Sequence, residues 1–168
     1  EQLSLARESE QGNDLCLALG ALAKKFNVYL VAGTVPILSA CTTKFTNSSC
    51  FFNPDGELIG QYDKIHLFDV NVSDSTKNYC ESRFTQAGKE ISVVNTDFAN
   101  IGLSVCFDLR FPTLFQQLSK AGANIITVPS AFTKVTGKAH WKTLLQARAI
   151  ENQVYINAAG QEGWHLYT

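Results

Sequence analysis

Apolar and polar positions switch repeatedly between a helical and a strand-like period along this chain, which predicts layered α/β structure. Leu15, Leu19, Leu22 and Phe26 recur at near-helical spacing behind Asn13-Asp14, a good capping pair. Residues 28–32 then read as a buried strand ending at Gly33. Residues 49–52 and 57–62 flank Asn53-Pro-Asp-Gly56, where proline and glycine suit a hairpin turn. From Val70 to Gly88 apolar residues occur only singly, and a long functional loop is expected. Strands are predicted at 91–94 and 101–105, a helix from Pro112 to Ala121 stopped by Gly122, and a strand at 124–128. Trp141, Leu144, Leu145 and Arg148 form one stripe of a helix over 138–151, and residues 154–158 close the series. No internal repeat, low-complexity tract or linker interrupts the pattern.

One predicted strand ends in chemistry. Ile101, Leu103 and Val105 alternate, Cys106 follows, and Pro112 opens a helix as a first-turn proline does. A thiol at a strand-to-helix turn lies near helix-terminal N–H groups, which favour thiolate and can bind a developing oxyanion. The competing reading is a buried structural cysteine, since cysteine is among the most buried residue types.

Composition narrows the field. The chain has 168 residues, 45% of them hydrophobic, enough for one sizeable core. A net charge of −1 argues against nucleic acid or an anionic membrane as partner, and no apolar run approaches the roughly 18 residues of a spanning helix. Five cysteines without a C-x-x-C pair argue against a zinc site or a disulfide framework, so no metal or cofactor is expected, and reduced thiols in a cytoplasmic compartment are. There is no methionine. With that composition and an unpunctuated C-terminus, residues 1–168 are expected to be a single domain incomplete at both ends.

Cys106-Phe-Asp-Leu-Arg-Phe-Pro112 resembles the C-[YF]-D-x-R-F-P nucleophile motif of the nitrilase, or carbon-nitrogen hydrolase, superfamily. Tyr62-Asp-Lys-Ile-His-Leu-Phe-Asp69 resembles its Y-x-K-x-H-L-[FY]-D block. Pro129-Ser-Ala-Phe132, His140-Trp141 and Ala147-Arg-Ala-Ile-Glu-Asn-Gln153 resemble its P-S-A-F, H-W and A-R-A-[IL]-E-x-Q blocks. The blocks occur in family order over roughly residues 33–160. The resemblance implies a partial α-β-β-α sandwich, with Cys106 as nucleophile, Lys64 as the positive group that stabilises an oxyanion, and Glu81 as the second glutamate, in an E-S…G context ending at Gly88. It further implies the Phe107 N–H as oxyanion donor, Phe132 as acyl-pocket wall, no cofactor, and a homo-oligomer.

Chemistry supports those assignments without requiring them. An amide-hydrolysing cysteine needs a cation near the tetrahedral oxyanion, and lysine supplies a compact one. A carboxylate near Lys64 could orient the ammonium. Asp108 and Arg110 are expected to form an ion pair bracing the turn, with substrate contact the alternative, His66 to share a strand face with Lys64 and to pack or hydrogen-bond, His140 and Trp141 to pack at a helix start, and Arg148 to be a buried or interface partner of a carboxylate. The family's primary base is a glutamate in a Pro-Glu block. No Pro-Glu pair occurs here, and Glu1, Glu8 and Glu10 have no strand before them, so that base is expected upstream of residue 1.

The functional expectation is cysteine hydrolysis of a small carboxamide. Arg110-Phe-Pro112, Pro129-Ser-Ala-Phe132 and the run from Ala158 to His165 are more similar to deaminated-glutathione amidases than to ω-amidases. Thr113, Gly160 and Trp164 depart from the pattern. A cationic group near Phe132 and Glu81, from this segment or from outside it, is expected to hold a substrate carboxylate. The alternatives are an ω-amidase acting on α-keto acid amides and a non-catalytic assembly protein on the same fold. Cytoplasmic location, with a mitochondrial one for a longer protein, completes the reading.

Overall fold

The computed structural model describes residues 2–8, 13–39, 43–71, 78–160 and 163. Helix α1 (Gln2–Glu8) precedes α2 (Asn13–Phe26), the helix expected from the leucine spacing, which already includes Asn13 and Asp14. Strands β1 (Leu30–Leu38), β2 (Phe45–Phe52) and β3 (Leu58–Asp63) form an antiparallel sheet in that order. The β2–β3 connection is the predicted hairpin, with Gly56 at φ +86 where a side chain would be strained. The first strand is longer than expected and does not end at Gly33. A register shift between Ala32 and Val35 lets it carry Gly33 and Pro36 onward against β2.

The second sheet holds β6 (Val93–Asn95), β7 (Asn100–Leu103), β8 (Ile125–Thr127) and β9 (Tyr155–Asn157), in that order. β7, β8 and β9 run parallel because α3 (Pro112–Lys120) and α4 (Lys134–Asn152) form their crossovers. α4 starts earlier than the apolar stripe suggested, because Thr133 caps it by accepting the Thr136 N–H. The stretch from Val70 to Gly88 is not loop throughout. β4 (Asp69–Asn71) and β5 (Asn78–Cys80) pair as a short ribbon, followed by a 3-10 turn at Glu81–Arg83.

Burial shows the layering. Leu15, Leu19 and Ala23 of α2 pack with Ala32, Val35, Cys50 and Phe52 on the outer face of the first sheet. Phe51 and Tyr62 on its inner face join Val94, Ile101 and Leu103 of the second sheet, whose other face meets Leu114, Phe115 and Leu118 of α3. Each such fully buried side chain contributes about 1.5–3 kcal/mol of transfer free energy. Where the sheets approach most closely, a Cβ on Gly60 would run into Val94. The result is the expected α-β-β-α order of layers. Among the described residues no helix is long and apolar enough to cross a membrane.

Candidate active site

Lys64 is fixed by its backbone first. Its N–H donates to the Asn47 carbonyl (3.0 Å), extending the β2–β3 ladder by one bond, and its carbonyl accepts the Gly88 N–H (2.9 Å). Gly88 must be glycine for this approach, because a Cβ would collide with the Asp63 carbonyl. The strand ends at Asp63, so His66 and Lys64 do not share a strand face as expected. The Lys64 side chain is only 4% exposed, and its Nζ donates to Glu81 Oε2 at 2.6 Å. A buried ammonium without such a partner would be strongly destabilising, so this pairing is a condition of the local fold.

Glu81 is also held on every side. Its Oε2 accepts the Phe68 N–H (2.7 Å) and its Oε1 accepts Asn47 Nδ2 (3.0 Å). The turn that carries it is pinned by Ser82 N–H to Asp69 Oδ1 (3.0 Å) and by Lys44 Nζ to the Ser82 carbonyl (2.8 Å). The Ser82 N–H holds the Asp69 carboxyl below the usual carboxylate range.

Cys106 follows the extended residue Val105 and adopts φ +49, a left-handed conformation that costs a non-glycine residue about 1–2 kcal/mol. Its N–H donates to the Pro129 carbonyl (2.9 Å), which ties the thiol-bearing turn to the segment after β8. A 3-10 helix then runs Cys106–Arg110. The expected Asp108–Arg110 ion pair does not form. Asp108 is wholly buried, and its Oδ2 accepts the Tyr62 hydroxyl (2.9 Å) and the Val105 N–H (2.9 Å). Its Oδ1 accepts the His66 N–H (3.1 Å) and pairs with His66 Nδ1 (2.7 Å). Four polar contacts from three residues saturate the carboxylate, which leaves no lone pair in need of Arg110. Burial, and secondarily the Asp108 charge, push the Tyr62 phenol well above its ordinary pKa. His66 also stacks on Phe111 at 3.7 Å, the hydrogen-bonding and packing role expected of it.

Arg110 instead donates to His140 Nδ1 (3.2 Å) and lies over the rings of Phe107 and Phe132. Trp141 packs edge-on against Phe132, and both His140 and Trp141 sit well inside α4 rather than at its start. Arg148 is buried, donates to the Leu109 carbonyl and pairs with Glu151, as expected.

These side chains enclose a pocket of about 30 Å³, lined by Cys106, Phe68, Phe107, Arg110, Phe132 and Thr136 among others. Cys106 and Phe132 therefore share one cavity, with the Arg110 guanidinium on its wall. Among the described residues no hydrogen bond links Cys106 to Lys64 or Glu81. The connection runs through Phe68, whose N–H is held by Glu81 and whose ring stands edge-on to Phe107. Also among the described residues, no three His, Cys, Asp or Glu side chains gather as a metal site would require.

The roles of Asn47, Tyr62 and the clamp at Asp108 are not announced by the sequence. Tyr62, Lys64 and His66 alternate in sequence, which is a signal of a shared neighbourhood, but the pairing register that brings Asn47 to Glu81 is not written in either segment. Glu1, Glu10 and half of the run from Ala158 to His165 (residues 161, 162, 164 and 165) lie outside the described residues.

The mixed α/β fold thus carries a thiol on a left-handed turn and, joined to its pocket through Phe68, a buried lysine–glutamate pair. The carbon-nitrogen hydrolase family model matches residues 4–167, and the chain belongs to that family. It is 47% identical over 165 residues to a deaminated glutathione amidase of Yersinia enterocolitica, covering 96% of this chain and 58% of that protein. It is 38% identical over 154 residues to an omega-amidase of Saccharomyces cerevisiae, covering 89% of this chain and 53% of that one. The crystal structure of the C. elegans NitFhit protein superposes with a TM-score of 0.87 at 39% identity, covering 99% of this chain and 40% of that one. The chain thus spans little more than half the length of the two amidases.

Proposed function

We propose that a longer protein containing this chain is a thiol amidase, with residues 1–168 forming the middle of its single catalytic domain. The observation that carries the proposal is the strained Cys106 in an aromatic pocket, one residue removed from the buried Lys64–Glu81 pair. In this reading Cys106 Sγ attacks the carboxamide carbon. Lys64 and the Phe107 N–H, an orphan donor at the start of its helix, stabilise the tetrahedral oxyanion. The C–N bond then breaks and the nitrogen leaves with a proton from the general acid, as an amine from a substituted amide such as deaminated glutathione or as ammonia from a primary one. Water adds to the resulting thioester, releasing the carboxylic acid and restoring the thiol. Glu81 holds the ammonium of Lys64 in place, and the proton-transferring glutamate is contributed from outside this chain.

The substrate of this proposal is a small amide with a carboxylate-bearing tail, deaminated glutathione foremost. The relative from Yersinia enterocolitica supports that choice by its identity. Arg110 supplies the cation that the reading requires: it stands over Phe132, inside the chain rather than outside it, and no carboxylate of the described residues pairs with it. The ω-amidase alternative draws on the 38% identical yeast relative. Assaying the whole protein with deaminated glutathione, α-ketoglutaramate and an aliphatic nitrile side by side separates these. Highest kcat/KM on deaminated glutathione is expected. Preference for α-ketoglutaramate would move it to the ω-amidases, and preference for the nitrile would overturn the proposal.

An assembly protein on the same fold is tested separately by iodoacetamide. An amidase shows one fast thiol at Cys106, whereas a scaffold shows comparable rates at all exposed thiols. The proposal extends to a homo-oligomer, for which the 70% and 79% exposure of Ile150 and Tyr155 supplies an apolar surface, and to a reducing cytoplasmic or mitochondrial compartment, in keeping with the free thiols at Cys16, Cys50, Cys80 and Cys106. Size-exclusion chromatography and cell fractionation test these two points.

A further inference from the structure

We infer that Asn47 is the positioning residue of the lysine–glutamate pair, setting the direction in which Lys64 presents its ammonium; the inference rests on the amidase reading above. Asn47 acts on both partners at once. Its carbonyl takes the Lys64 N–H (3.0 Å), which fixes where the lysine leaves the strand. Its side-chain Nδ2 donates to Glu81 Oε1 (3.0 Å). Glu81 Oε2 is left to Lys64 Nζ (2.6 Å) and the Phe68 N–H (2.7 Å).

A carboxylate held on one oxygen can still turn about its Cγ–Cδ bond, and that torsion is broad and soft. A donor on the second oxygen removes this freedom. Among the described side chains Asn47 is the donor that Oε1 has. The residue type matters as well. An amide NH₂ can only donate to a carboxylate, so Asn47 satisfies Glu81 Oε1 without adding a charge that would compete with Lys64. A lysine would pull Glu81 away from Lys64, and an aspartate would repel it. The location agrees: Asn47 is in the middle of a sheet, on β2 between β1 and β3, where the backbone gives least. A 1 Å shift of a charge that must meet a developing oxyanion can cost about 10²-fold in rate, so a group that does not touch substrate can still govern turnover.

The test is steady-state kinetics of the whole protein with Asn47→Ala and Asn47→Asp, together with the alkylation rate of Cys106 and a thermal melt. Asn47→Ala is expected to lower kcat at least tenfold with KM changed less than threefold, and to slow Cys106 alkylation. Asn47→Asp, which keeps the shape, can bond Oε1 only if the two carboxyls share a proton. Its kcat is therefore expected to recover on acidification over a pH range in which the parent falls. A residue that merely supports the sheet would lower the melting temperature without this change in pH profile, and that result would overturn the inference. So would parental kcat in both variants. If Asn47→Ala does not fold, the pH profile of Asn47→Asp decides alone. Lys64→Met is the control for the underlying reading. Full activity in Lys64→Met means the amidase reading is wrong, whereas an inactive Lys64→Met beside fully active Asn47 variants rejects only the role given to Asn47.

Discussion

The Tyr62 hydroxyl donates to Asp108 Oδ2 at 2.9 Å, joining two residues 46 positions apart across the interface of the two sheets. Through Asp108 the same contact reaches the Val105 N–H, one residue before the strained Cys106. The strand that delivers Lys64 and the turn that carries the thiol are therefore tied to each other by a single buried carboxylate. The tie fixes the two backbone segments relative to each other, and the Lys64 ammonium is then placed by Glu81.

The tie has a pH signature. The Tyr62 phenol is raised above its ordinary value, so in the folded protein it stays neutral where an unfolded tyrosine ionises, near pH 10. The Cys50 thiol is pushed up to about 12, by burial first and the neighbouring Cys16 thiol second. Both shifts have the same sign. Their stability is fully present below the unfolded pKa values and is lost as pH rises through about 9–10 and beyond. Stability measured by denaturant titration should be level from pH 7 to 8 and fall steeply above pH 10. Tyr62→Phe should be weaker by about 1–3 kcal/mol at pH 7, since Asp108 loses a donor, yet fall less steeply above pH 10.

At Cys106 the backbone and the chemistry make separable demands. Cys106→Ala should abolish amide hydrolysis with the fold intact, and retention of even a few per cent of turnover would remove the thiol from the mechanism. Cys106→Gly should be equally inactive but more stable than Cys106→Ala by about 1 kcal/mol, because glycine relieves the left-handed φ. Parallel urea titrations of the two variants check the difference.

Lys64→Met should lose turnover by roughly 10²-fold or more and slow the alkylation of Cys106. It should also destabilise the protein by about 3 kcal/mol, the low end for breaking a buried pair, because Glu81 keeps its two N–H donors. Combining it with Glu81→Gln should restore much of the stability and none of the activity. Melting curves and kinetics on the same samples distinguish a charge role in the chemistry from a structural one.

Gly88→Ala tests the backbone clamp on Lys64. The added methyl meets the Asp63 carbonyl, a backbone atom that cannot rotate away, so the Gly88–Lys64 hydrogen bond must lengthen. Turnover should fall at least tenfold, with KM nearly unchanged. A variant with parental kcat would mean that Lys64 tolerates displacement.

Local pattern determined a good deal of this molecule. The leucine spacing of α2, the Asn53–Gly56 hairpin turn and the proline start of α3 each depend on residues close in sequence, and each is found where expected. The motif blocks also named Cys106, Lys64 and Glu81 as the candidate chemistry, because residue type and order survive without coordinates. What failed were statements about partners. Asp108 and Arg110, two residues apart and opposite in charge, are a natural pair by sequence. Burial decided otherwise: Asp108 is enclosed with Tyr62, His66 and the Val105 N–H, while Arg110 turns outward to His140 and the pocket. The first strand runs past Gly33 because β2 pairs with it on both sides of the register shift, which outweighs the weak strand propensity of glycine and proline. Asn47 gained its place beside Glu81 in the same way, through a strand register and a turn that meet only when the sheet has formed. Residue types and their local periods are properties of the chain, but a buried polar group takes whichever partner lies within hydrogen-bond reach, and only tertiary packing determines which one that is.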